Sequence, residues 1–338
     1  MTSNDSILLL RGPEVERALA DHAHEVIAAV RSAYCEHQKG NSCLPHSVFV
    51  RFPQRQKERI IALPGYLGGE REVAGIKWIS SFPNNLERGI SRASAIMVLN
   101  SLATGRPEAI LEGSLISAAR TAASAALAAD VLHAAGDIDV LGVIGCGLIN
   151  RQIVRYLASL GRPIGSVLLF DIDPVRAARY RDFLTSDLAG TTVEVCTSVN
   201  DVLKRSAVVS FATTAVEPTV PDISICRPAA TILHISLRDL TAQAMLGADN
   251  VVDDIDHVMR AETSLHLAEK QVGHRRFVRC SLADILLGEQ AARRNDGSVV
   301  VFSPFGLGVL DLAVARFVVD RASAQGLGTR IDGFFEGT

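Results

Sequence analysis

The stretch Val143–Asn150 reads Val-Ile-Gly-Cys-Gly-Leu-Ile-Asn and stands between two different patterns. Before it, Asp139–Ile144 is almost entirely apolar, as is typical of a parallel strand buried on both faces. After it, Leu148–Leu160 has the spacing of an amphipathic helix. A strand that runs into a helix through a glycine-rich turn is the opening unit of a doubly wound parallel sheet. This unit predicts that the residues after it continue the same sheet.

The residues of this turn suit the binding of a dinucleotide. Gly145 allows the tight turn, and Gly147 lets the backbone come close to a pyrophosphate. Leu148 and Ile149 open the helix, whose free N–H groups and partial positive charge attract phosphate. Asn150 occupies the position at which such motifs usually have a third glycine. We predict cofactor contacts at the first four of these residues. The alternative is a glycine-rich turn that binds no dinucleotide.

An acidic residue at the end of the next strand indicates which dinucleotide is bound. The predicted strand Ser166–Asp171 ends 26 residues beyond Gly145. A carboxylate at this point accepts hydrogen bonds from the adenosine ribose and repels a 2′-phosphate, so Asp171 favours NAD over NADP. Asp173 competes for the same role, and Arg176 leaves some room for NADP.

From about residue 138, strand patterns alternate with helix patterns. This alternation predicts an α/β fold with a Rossmann-type doubly wound parallel sheet, and we assign it to a domain over residues 131–304. The predicted strands are Asp139–Ile144, Ser166–Asp171, Thr191–Cys196, Ala207–Ala212, Thr231–Ile235, Asn250–Asp253 and Ser298–Phe302.

The first third of the chain has an α+β pattern. Apolar residues at spacings of three and four predict one helix over 13–38, and an alanine-rich helix is expected over about 113–135. The last helix, over about 308–325, is expected to return to this domain. Strands are predicted at Ser47–Phe52, Arg59–Leu63, Val73–Ile79 and Ala93–Leu99.

The composition argues against several classes of protein. The 338 residues carry a net charge of -3 with both signs interspersed, so we predict neither nucleic acid nor a membrane as partner. The six cysteines and nine histidines lack disulfide-framework and metal-site spacings, so we predict no metal. The N-terminus does not resemble a signal peptide, and Ala118–Ala129 is too short and too polar to span a bilayer. We therefore expect a cytoplasmic protein.

Two basic residues stand in apolar surroundings. Lys77 lies within an apolar strand pattern, where it is either on a solvent-facing edge or part of a site. Arg120 lies inside the alanine-rich helix, where a buried guanidinium needs an anionic partner. That partner is either a substrate or a structural carboxylate.

Three further residues are candidates. Asp239 lies just past the carboxyl end of a predicted strand, where ligands of doubly wound sheets bind. Alternatively, Asp239 caps a helix that begins near Thr241. Arg51 and Arg92 lie on or beside strands of the first domain and could bind carboxylates. The alternative for each is an ordinary arginine at the protein surface.

Taken together, these segments resemble the ornithine cyclodeaminase/mu-crystallin family over nearly the whole chain. The resemblance implies a homodimer with an NAD(P)-binding Rossmann domain. It also implies a second domain, 1–130 plus 305–338, that binds substrate and dimerises, and redox chemistry at a carbon bearing nitrogen. Lys77, Arg120 and Asp239 match the family's site positions. The segments that carry the resemblance are Gly75–Trp78, Glu112–Ala123, the Gly145 turn and Ser303–Gly308.

Other stretches resemble one branch of the family, which forms 2,3-diaminopropionate for siderophores and antibiotics. The substrate of that branch is N-(2-amino-2-carboxyethyl)-L-glutamate, which has three carboxylates. Our hypothesis for this substrate makes Asp239 the general base and Lys77 the ligand of the α-carboxylate. In the same hypothesis Arg51, Arg92 and Arg120 bind the other carboxylates, and Thr121 and Thr213 are candidate cofactor contacts. The stretches are Arg59–Pro64, Gly75–Ser81, Arg92–Ser94, Leu111–Ser117 and Ile235–Asp239.

The sequence departs from the cyclodeaminases of this family next to Asp239. Those enzymes have a glycine-rich turn before the aspartate and a lysine shortly after it, whereas this chain has Leu237 and Arg238 before it and Gln243 four residues beyond. The alternatives that stay open are a simpler amino-acid dehydrogenase, a ketimine reductase, an ornithine cyclodeaminase and a non-catalytic crystallin-like binding protein.

Overall fold

The computed structural model describes residues 6–133, 136–188, 190–294 and 296–335, apart from the side chains of residues 56 and 86. The chain forms two compact units. One runs up to Arg120 and resumes at Leu307, and the other runs from Thr121 to Gly306. The fold class expected from the sequence, a Rossmann-type sheet within an α/β chain, is confirmed.

The first unit is built on a mixed sheet. Its strands are ordered β16-β1-β7-β6-β5-β4-β2, and β3 pairs with β4; β1 and β7 run parallel, and the other neighbours are antiparallel. The strands are β1 (Ile7–Leu10), β2 (Ser42–Cys43), β3 (Val48–Phe52), β4 (Arg55–Leu67), β5 (Val73–Ser81), β6 (Ala93–Asn100), β7 (Pro107–Glu112) and β16 (Thr329–Ile331). A 3-10 helix spans Pro83–Arg88.

The helix predicted over 13–38 is two helices, α1 (Gly12–Leu19) and α2 (Ala23–Gln38). Between them, Asp21 has a φ of 60°, a left-handed conformation that aspartate tolerates better than most residues. Each helix buries an apolar face, so the spacing of the apolar residues continues across the break and hides it. The prediction of a single helix was therefore wrong.

Two apolar helices pass through the interior. The helix α3 (Ser114–Leu132) is long and apolar enough to cross a membrane by length and composition alone, but 67% of its most apolar window is buried within the fold, as in a core helix. The helix α11 (Gly308–Ala324) packs on β4, β5 and β6 and against α1 and α2. The last helix thus returns to the first unit.

The second unit has an eight-stranded sheet in which all neighbouring strands are parallel, in the order β10-β9-β8-β11-β12-β15-β13-β14. The order reverses between β8 and β11, and ligands of such sheets bind outside the carboxyl ends of the strands at this reversal. The strands are β8 (Ile138–Ile144), β9 (Ile164–Phe170), β10 (Thr192–Val195), β11 (Val208–Phe211), β12 (Thr231–His234), β13 (Asp249–Val252), β14 (Val278–Ser281) and β15 (Val300–Ser303).

Helices connect these strands, and polar side chains cap several of them. Asp173 accepts hydrogen bonds at the start of α5, Ser198 at α6, Thr241 at α7 and Thr263 at α9. The helices are α4 (Leu148–Ser159), α5 (Pro174–Asp187), α6 (Val199–Arg205), α7 (Ala242–Leu246), α8 (Ile255–Val258), α9 (Ser264–Val272) and α10 (Leu282–Leu286).

The boundaries between the two units lie near, but not at, those expected from the sequence. The sequence places the boundaries at 130/131 and 304/305, whereas the compact units divide at Arg120/Thr121 and Gly306/Leu307. The difference at the first boundary arises because α3 belongs to both units: its first turns lie in one and the remainder in the other.

Candidate active site

The turn between β8 and α4 has the backbone that a dinucleotide motif requires. Gly145 has a φ of +90°, and a Cβ at this residue would lie 2.6 Å from the carbonyl oxygen of Ala212. Gly147 is the N-cap of α4 in an extended conformation, and a Cβ there would meet no atom within 4 Å. The space in front of Gly147 and the N–H groups of the first turn of α4 together suit a pyrophosphate.

Asn150 replaces the third glycine and ties the turn together. It is fully buried, and its Nδ2 donates to the carbonyls of Ile144 at 2.9 Å and Gly145 at 2.7 Å. Its Oδ1 accepts a hydrogen bond of 2.6 Å from Ser210 on β11. The side chain therefore fixes the end of β8 and joins it to the strand across the reversal, so the motif keeps its shape without the third glycine.

Asp171 follows β9, at the position expected for a ribose ligand. Its Oδ2 accepts from the backbone N–H of Cys146 at 2.7 Å, and its Oδ1 accepts from Asp173 at 2.9 Å. These bonds aim the carboxylate along the glycine turn and leave further lone pairs for ribose hydroxyls. Arg176 lies 4.0 Å from Asp171 and 3.8 Å from Asp173. Asp173 itself caps α5.

Asp239 lies beyond β12 in a buried polar cluster. The hydroxyl of Thr213, beyond β11, donates to its Oδ1, and the hydroxyl of Ser236 donates to its Oδ2. The residue is 2% exposed. Its carboxylate does not cap α7, because the N-cap of that helix is Thr241. The helix-cap alternative for Asp239 is therefore excluded.

His234, on β12, is the other buried titratable group of this cluster. Its Nε2 accepts the backbone N–H of Asp239 at 3.2 Å, and its Nδ1 lies 3.3 Å from the hydroxyl of Ser303. The same Nε2 lies 3.4 Å from Oδ2 of Asp239. Burial by itself raises the pKa of Asp239. The adjacent ring and the two donating hydroxyls outweigh burial, so the pKa of Asp239 lies below its ordinary value and the carboxyl is ionised near neutral pH.

The backbone before Asp239 is strained. Leu237 has a φ of +67°, a conformation that favours glycine, yet its side chain is buried in the apolar core of the second unit. Its carbonyl accepts a hydrogen bond of 2.8 Å from the backbone of Ser264. Leucine thus adopts, at a cost, a conformation that glycine would adopt freely.

In the first unit, the two basic candidates meet at a residue that the sequence analysis did not single out. The Nζ of Lys77, on β5, lies 2.6 Å from Oδ2 of Asp311, and the Nε of Arg120, on α3, lies 3.1 Å from its Oδ1. Asp311 lies in the first turn of α11 and is fully buried. Lys77 also lies 3.4 Å from the hydroxyl of Ser117. We call Lys77, Arg120 and Asp311 the cation cluster.

The charges of the cation cluster are strongly coupled. Burial lowers the pKa of Lys77 to about 8, with a further lowering from Arg120 and an opposing rise from Asp311. Burial alone would raise the pKa of Asp311, but Arg120 and Lys77 outweigh it and hold the pKa below its ordinary value. Two cations and one carboxylate leave a single net positive charge, which suits one further carboxylate. The solvent-facing alternative for Lys77 is excluded by its burial.

Other predicted residues lie outside these clusters. Arg51 is exposed and lies over the ring of Phe49. Arg51 pairs with Arg59 of β4, which in turn pairs with Ser81 of β5. Ser81 lies four residues from Lys77, about 13 Å along the strand, so Arg51 and Lys77 share one face of the sheet.

Arg92 is exposed just before β6. Within the described parts of the chain, neither Arg51 nor Arg92 forms an ion pair with the cation cluster. Leu148 is exposed and Ile149 half-buried at the start of α4, and Thr121 lies half-buried in α3.

Sequence reasoning missed Asp311, His234 and Ser236. A signal for the first existed, since Asp311 is an acid among the apolar residues that open the helix pattern 308–325, and a buried acid needs a cation. The other two carry no pattern of their own, because only the fold of the loop after β12 brings them to Asp239. Among the described residues, no group of three or more histidine, cysteine or acidic side chains could hold a metal ion.

Comparison with known proteins places the chain in a family. The profile described as "Ornithine cyclodeaminase/mu-crystallin family" matches residues 9–326. The N-((2S)-2-amino-2-carboxyethyl)-L-glutamate dehydrogenase of Staphylococcus aureus is 28% identical over 335 residues, which cover 97% of this chain and 99% of that protein.

Solved structures share the whole fold. The Delta(1)-pyrroline-2-carboxylate reductase of Thermococcus litoralis, in complex with NADH and L-proline, has a TM-score of 0.89 and 26% identity, covering 96% of this chain and 100% of the other. An archaeal alanine dehydrogenase dimer with bound NAD has a TM-score of 0.86 and 25% identity, covering 97% and 99%. The relatives are NAD-dependent dehydrogenases and reductases of amino-acid substrates, and NAD is the cofactor in this family, as the sequence predicts.

Proposed function

The chain belongs to the ornithine cyclodeaminase/mu-crystallin family, and we propose that it is an NAD-dependent dehydrogenase of N-(2-amino-2-carboxyethyl)-L-glutamate. The products are 2-oxoglutarate and L-2,3-diaminopropionate, a precursor of siderophores or antibiotics. The enzyme class is supported by the buried, ionised Asp239 at the carboxyl end of β12. The choice of substrate is supported by similarity to the Staphylococcus aureus dehydrogenase along 97% of the chain.

The proposed reaction has two steps. In the first step, the Cα of the glutamate part of the substrate loses a hydride and the secondary amine loses a proton, which leaves an imine. In the second step, water splits this imine. When bound, NAD supplies the hydride acceptor. Asp239, already ionised near neutral pH, stabilises the cationic iminium and accepts protons from the amine and from the attacking water. The hydroxyls of Thr213 and Ser236 hold its two oxygens in place.

The cation cluster binds one carboxylate of the substrate. Lys77 is protonated below about pH 8, and Arg120 presents a guanidinium group, so both attract an anion. Arg51 and Arg92 are proposed to bind the remaining carboxylates, and both are exposed side chains of the same unit. A substrate with three carboxylates uses such a set of cations better than ornithine does.

The glycine turn is proposed to bind NAD in preference to NADP. Gly145, Gly147, Leu148 and Ile149 receive the pyrophosphate, and the carboxylate of Asp171 receives the ribose. Thr121 is proposed as a cofactor contact. Thr213 is proposed as a second, although its hydroxyl donates to Asp239.

We propose that the protein is a cytoplasmic homodimer. The sheet of the first unit exposes an apolar face opposite α11, with Trp78 and Ile96 directly paired across β5 and β6 and Val48 and Val50 on β3. Exposed apolar patches of this kind mark protein interfaces. An archaeal alanine dehydrogenase of the same fold is described as a dimer. We expect neither nucleic acid nor a membrane as partner.

The proposal is tested by absorbance at 340 nm with purified protein, NAD and N-(2-amino-2-carboxyethyl)-L-glutamate, with alanine, glutamate, proline and ornithine in parallel. We expect NADH and 2-oxoglutarate from the first substrate alone. A signal with alanine or proline would identify a simpler dehydrogenase or a ketimine reductase. Proline formed from ornithine without net NADH would identify a cyclodeaminase. NAD binding without turnover of any substrate would indicate a crystallin-like binding protein.

Replacement Asp239→Asn tests the assigned base. It keeps the size of the side chain and removes the charge, so we expect kcat to fall by roughly 100-fold or more. The matched control is Asp222→Asn, since Asp222 is an exposed aspartate that also accepts hydrogen bonds from a serine. Near-wild-type turnover in Asp239→Asn would remove Asp239 from the mechanism.

A further inference from the structure

Asp311 is a buried carboxylate to which the mechanism above assigns no task. It stands in the first turn of α11, where a negative charge is favoured by the helix dipole, and its side chain has no exposure to solvent. Apolar residues occupy the rest of this turn. An ionised group in such surroundings is costly unless it is paired, so its partners define its role.

Each oxygen of Asp311 serves a different cation. Oδ2 pairs with Lys77, and Oδ1 pairs with the Nε of Arg120. Because the contact with Arg120 is made through Nε, the edge formed by the two terminal nitrogens lies outside this ion pair. That edge can bind a carboxylate in bidentate fashion.

Among the described residues, Asp311 is the carboxylate that pairs with Lys77. The partners of Lys77 on the neighbouring strands are Leu63 and Met97, which carry no charge. Helix α3 presents the cation Arg120 and the neutral Ser117, and α11 presents Asp311. Burial and Arg120 both favour the neutral amine, and Asp311 opposes them.

We propose that Asp311 is the positioning residue of the carboxylate-binding site: it keeps Lys77 protonated and holds Arg120 by its Nε edge, so that the cluster offers one net positive charge to one substrate carboxylate. The proposal rests on the proposed function only in requiring an amino-acid substrate. It does not depend on which amino acid is used.

The first experiment measures kcat/KM against pH, with saturating NAD and whichever substrate of the panel is turned over. For the wild type we expect kcat/KM to fall as the pH rises through about 8, because the neutral amine no longer attracts the carboxylate. In Asp311→Asn the fall should begin at least about one pH unit lower, and KM for the amino acid at pH 8 should rise roughly 10-fold or more. KM for NAD should not change.

Two variants separate the proposed role from a general structural one. Asp320→Asn removes a carboxylate from the same helix, but Asp320 is exposed and pairs with Arg316, so its profile should match the wild type. Asp311→Glu keeps the charge, so its alkaline fall should stay near that of the wild type even if KM rises because the longer side chain displaces Arg120.

The Lys77→Arg background identifies the titrating group. A guanidinium stays protonated, so Asp311→Asn in this background should leave the alkaline fall of kcat/KM where Lys77→Arg alone has it. A shift of the same size in both backgrounds would show that Asp311 does not act through Lys77, and it would overturn the proposal.

A readout without turnover keeps the test independent of the substrate. The rate at which an acylating reagent modifies Lys77 between pH 6 and 10, followed by peptide mass spectrometry, reports the neutral amine directly. We expect its midpoint to lie lower in Asp311→Asn than in the wild type and to stay unchanged in Asp311→Glu. Asp311→Ser, which also removes the charge, serves if Asp311→Asn does not fold. A midpoint in Asp311→Asn, or in Asp311→Ser in its place, equal to that of the wild type would overturn the proposal, whatever the substrate panel shows.

Discussion

Asp171, Asp239 and Asp311 have little or no side-chain exposure, and their partners differ in kind. Backbone N–H groups hold Asp171, hydroxyl groups hold Asp239, and cations hold Asp311. A carboxylate held by N–H groups or hydroxyls keeps its full charge available to a ligand. A carboxylate held by two cations is neutralised and acts only on them. The same residue type is therefore suited to ribose recognition, to general base catalysis and to the orientation of other side chains.

At the residue scale, Asp171→Ser should weaken the preference for NAD. The change removes the charge that repels a 2′-phosphate, while Arg176 remains within 4.0 Å of the site. We expect the ratio of kcat/KM for NADP to that for NAD to rise at least about 10-fold. Asp173→Ser is the matched control: it removes an equal charge near Arg176, and serine still caps α5. If both variants shift the ratio equally, net charge rather than Asp171 sets the preference.

At the scale of the β8–α4 turn, alanine should destabilise the fold at one of the two glycines and weaken NAD binding at the other. Gly145→Ala places a Cβ against the carbonyl of Ala212 at a positive φ, so we expect a loss of about 3 kcal/mol in the free energy of unfolding. Gly147→Ala has room for its Cβ, so its unfolding should change by less than about 1 kcal/mol.

The same Cβ of Gly147→Ala occupies the space in front of the helix, so NAD affinity measured by calorimetry should fall about 10-fold or more. Thermal denaturation of both variants without cofactor gives the comparison of stability. A stable Gly147→Ala protein that binds NAD normally would exclude close approach of the pyrophosphate at this residue.

The elements themselves could be predicted in proportion to how local their signals are. The buried strand, the glycine turn and the following helix were predicted to within one or two residues, because apolar runs and glycines act within a few positions of the chain. The strands β1, β2, β7, β14 and β16 were missed: all but β7 have at most four residues, and β7 begins at Pro107. The break at Asp21 was missed because both helices bury faces of the same spacing.

The candidate site was predictable only in part, for the same reason. Lys77, Arg120 and Asp239 are single polar residues in apolar or strand-end positions, and such positions are visible in a sequence. Their partners are 40 to 234 residues away or depend on the loop after β12. No local pattern connects Asp311 to Lys77, because the pairing depends on α11 packing against β5.

At the scale of the whole molecule, Ile96→Lys should dissociate the proposed dimer. Ile96 lies opposite Trp78 on the exposed sheet face, and a lysine there would bury an unpaired charge in an interface. We expect sedimentation to report a monomer at concentrations at which the wild type is a dimer. Leu102→Lys alters another exposed apolar residue of the same unit, in the loop after β6, and should stay dimeric. A wild-type protein that sediments as a monomer would contradict the proposal directly.

The two crossings of the chain between the units also impose an order on biosynthesis. The helix α11 and the strand β16 complete the first unit, but the ribosome makes them only after every residue of the second unit. As nascent chains fold unit by unit, the dinucleotide-binding sheet can close while the first sheet still lacks its central helix. Until Asp311 leaves the exit tunnel, Lys77 and Arg120 lack the carboxylate that pairs with both of them in the folded first unit. The first unit therefore completes its fold only after the second unit has been synthesised. A truncated nascent protein carries the cations of the site without the carboxylate that pairs with them.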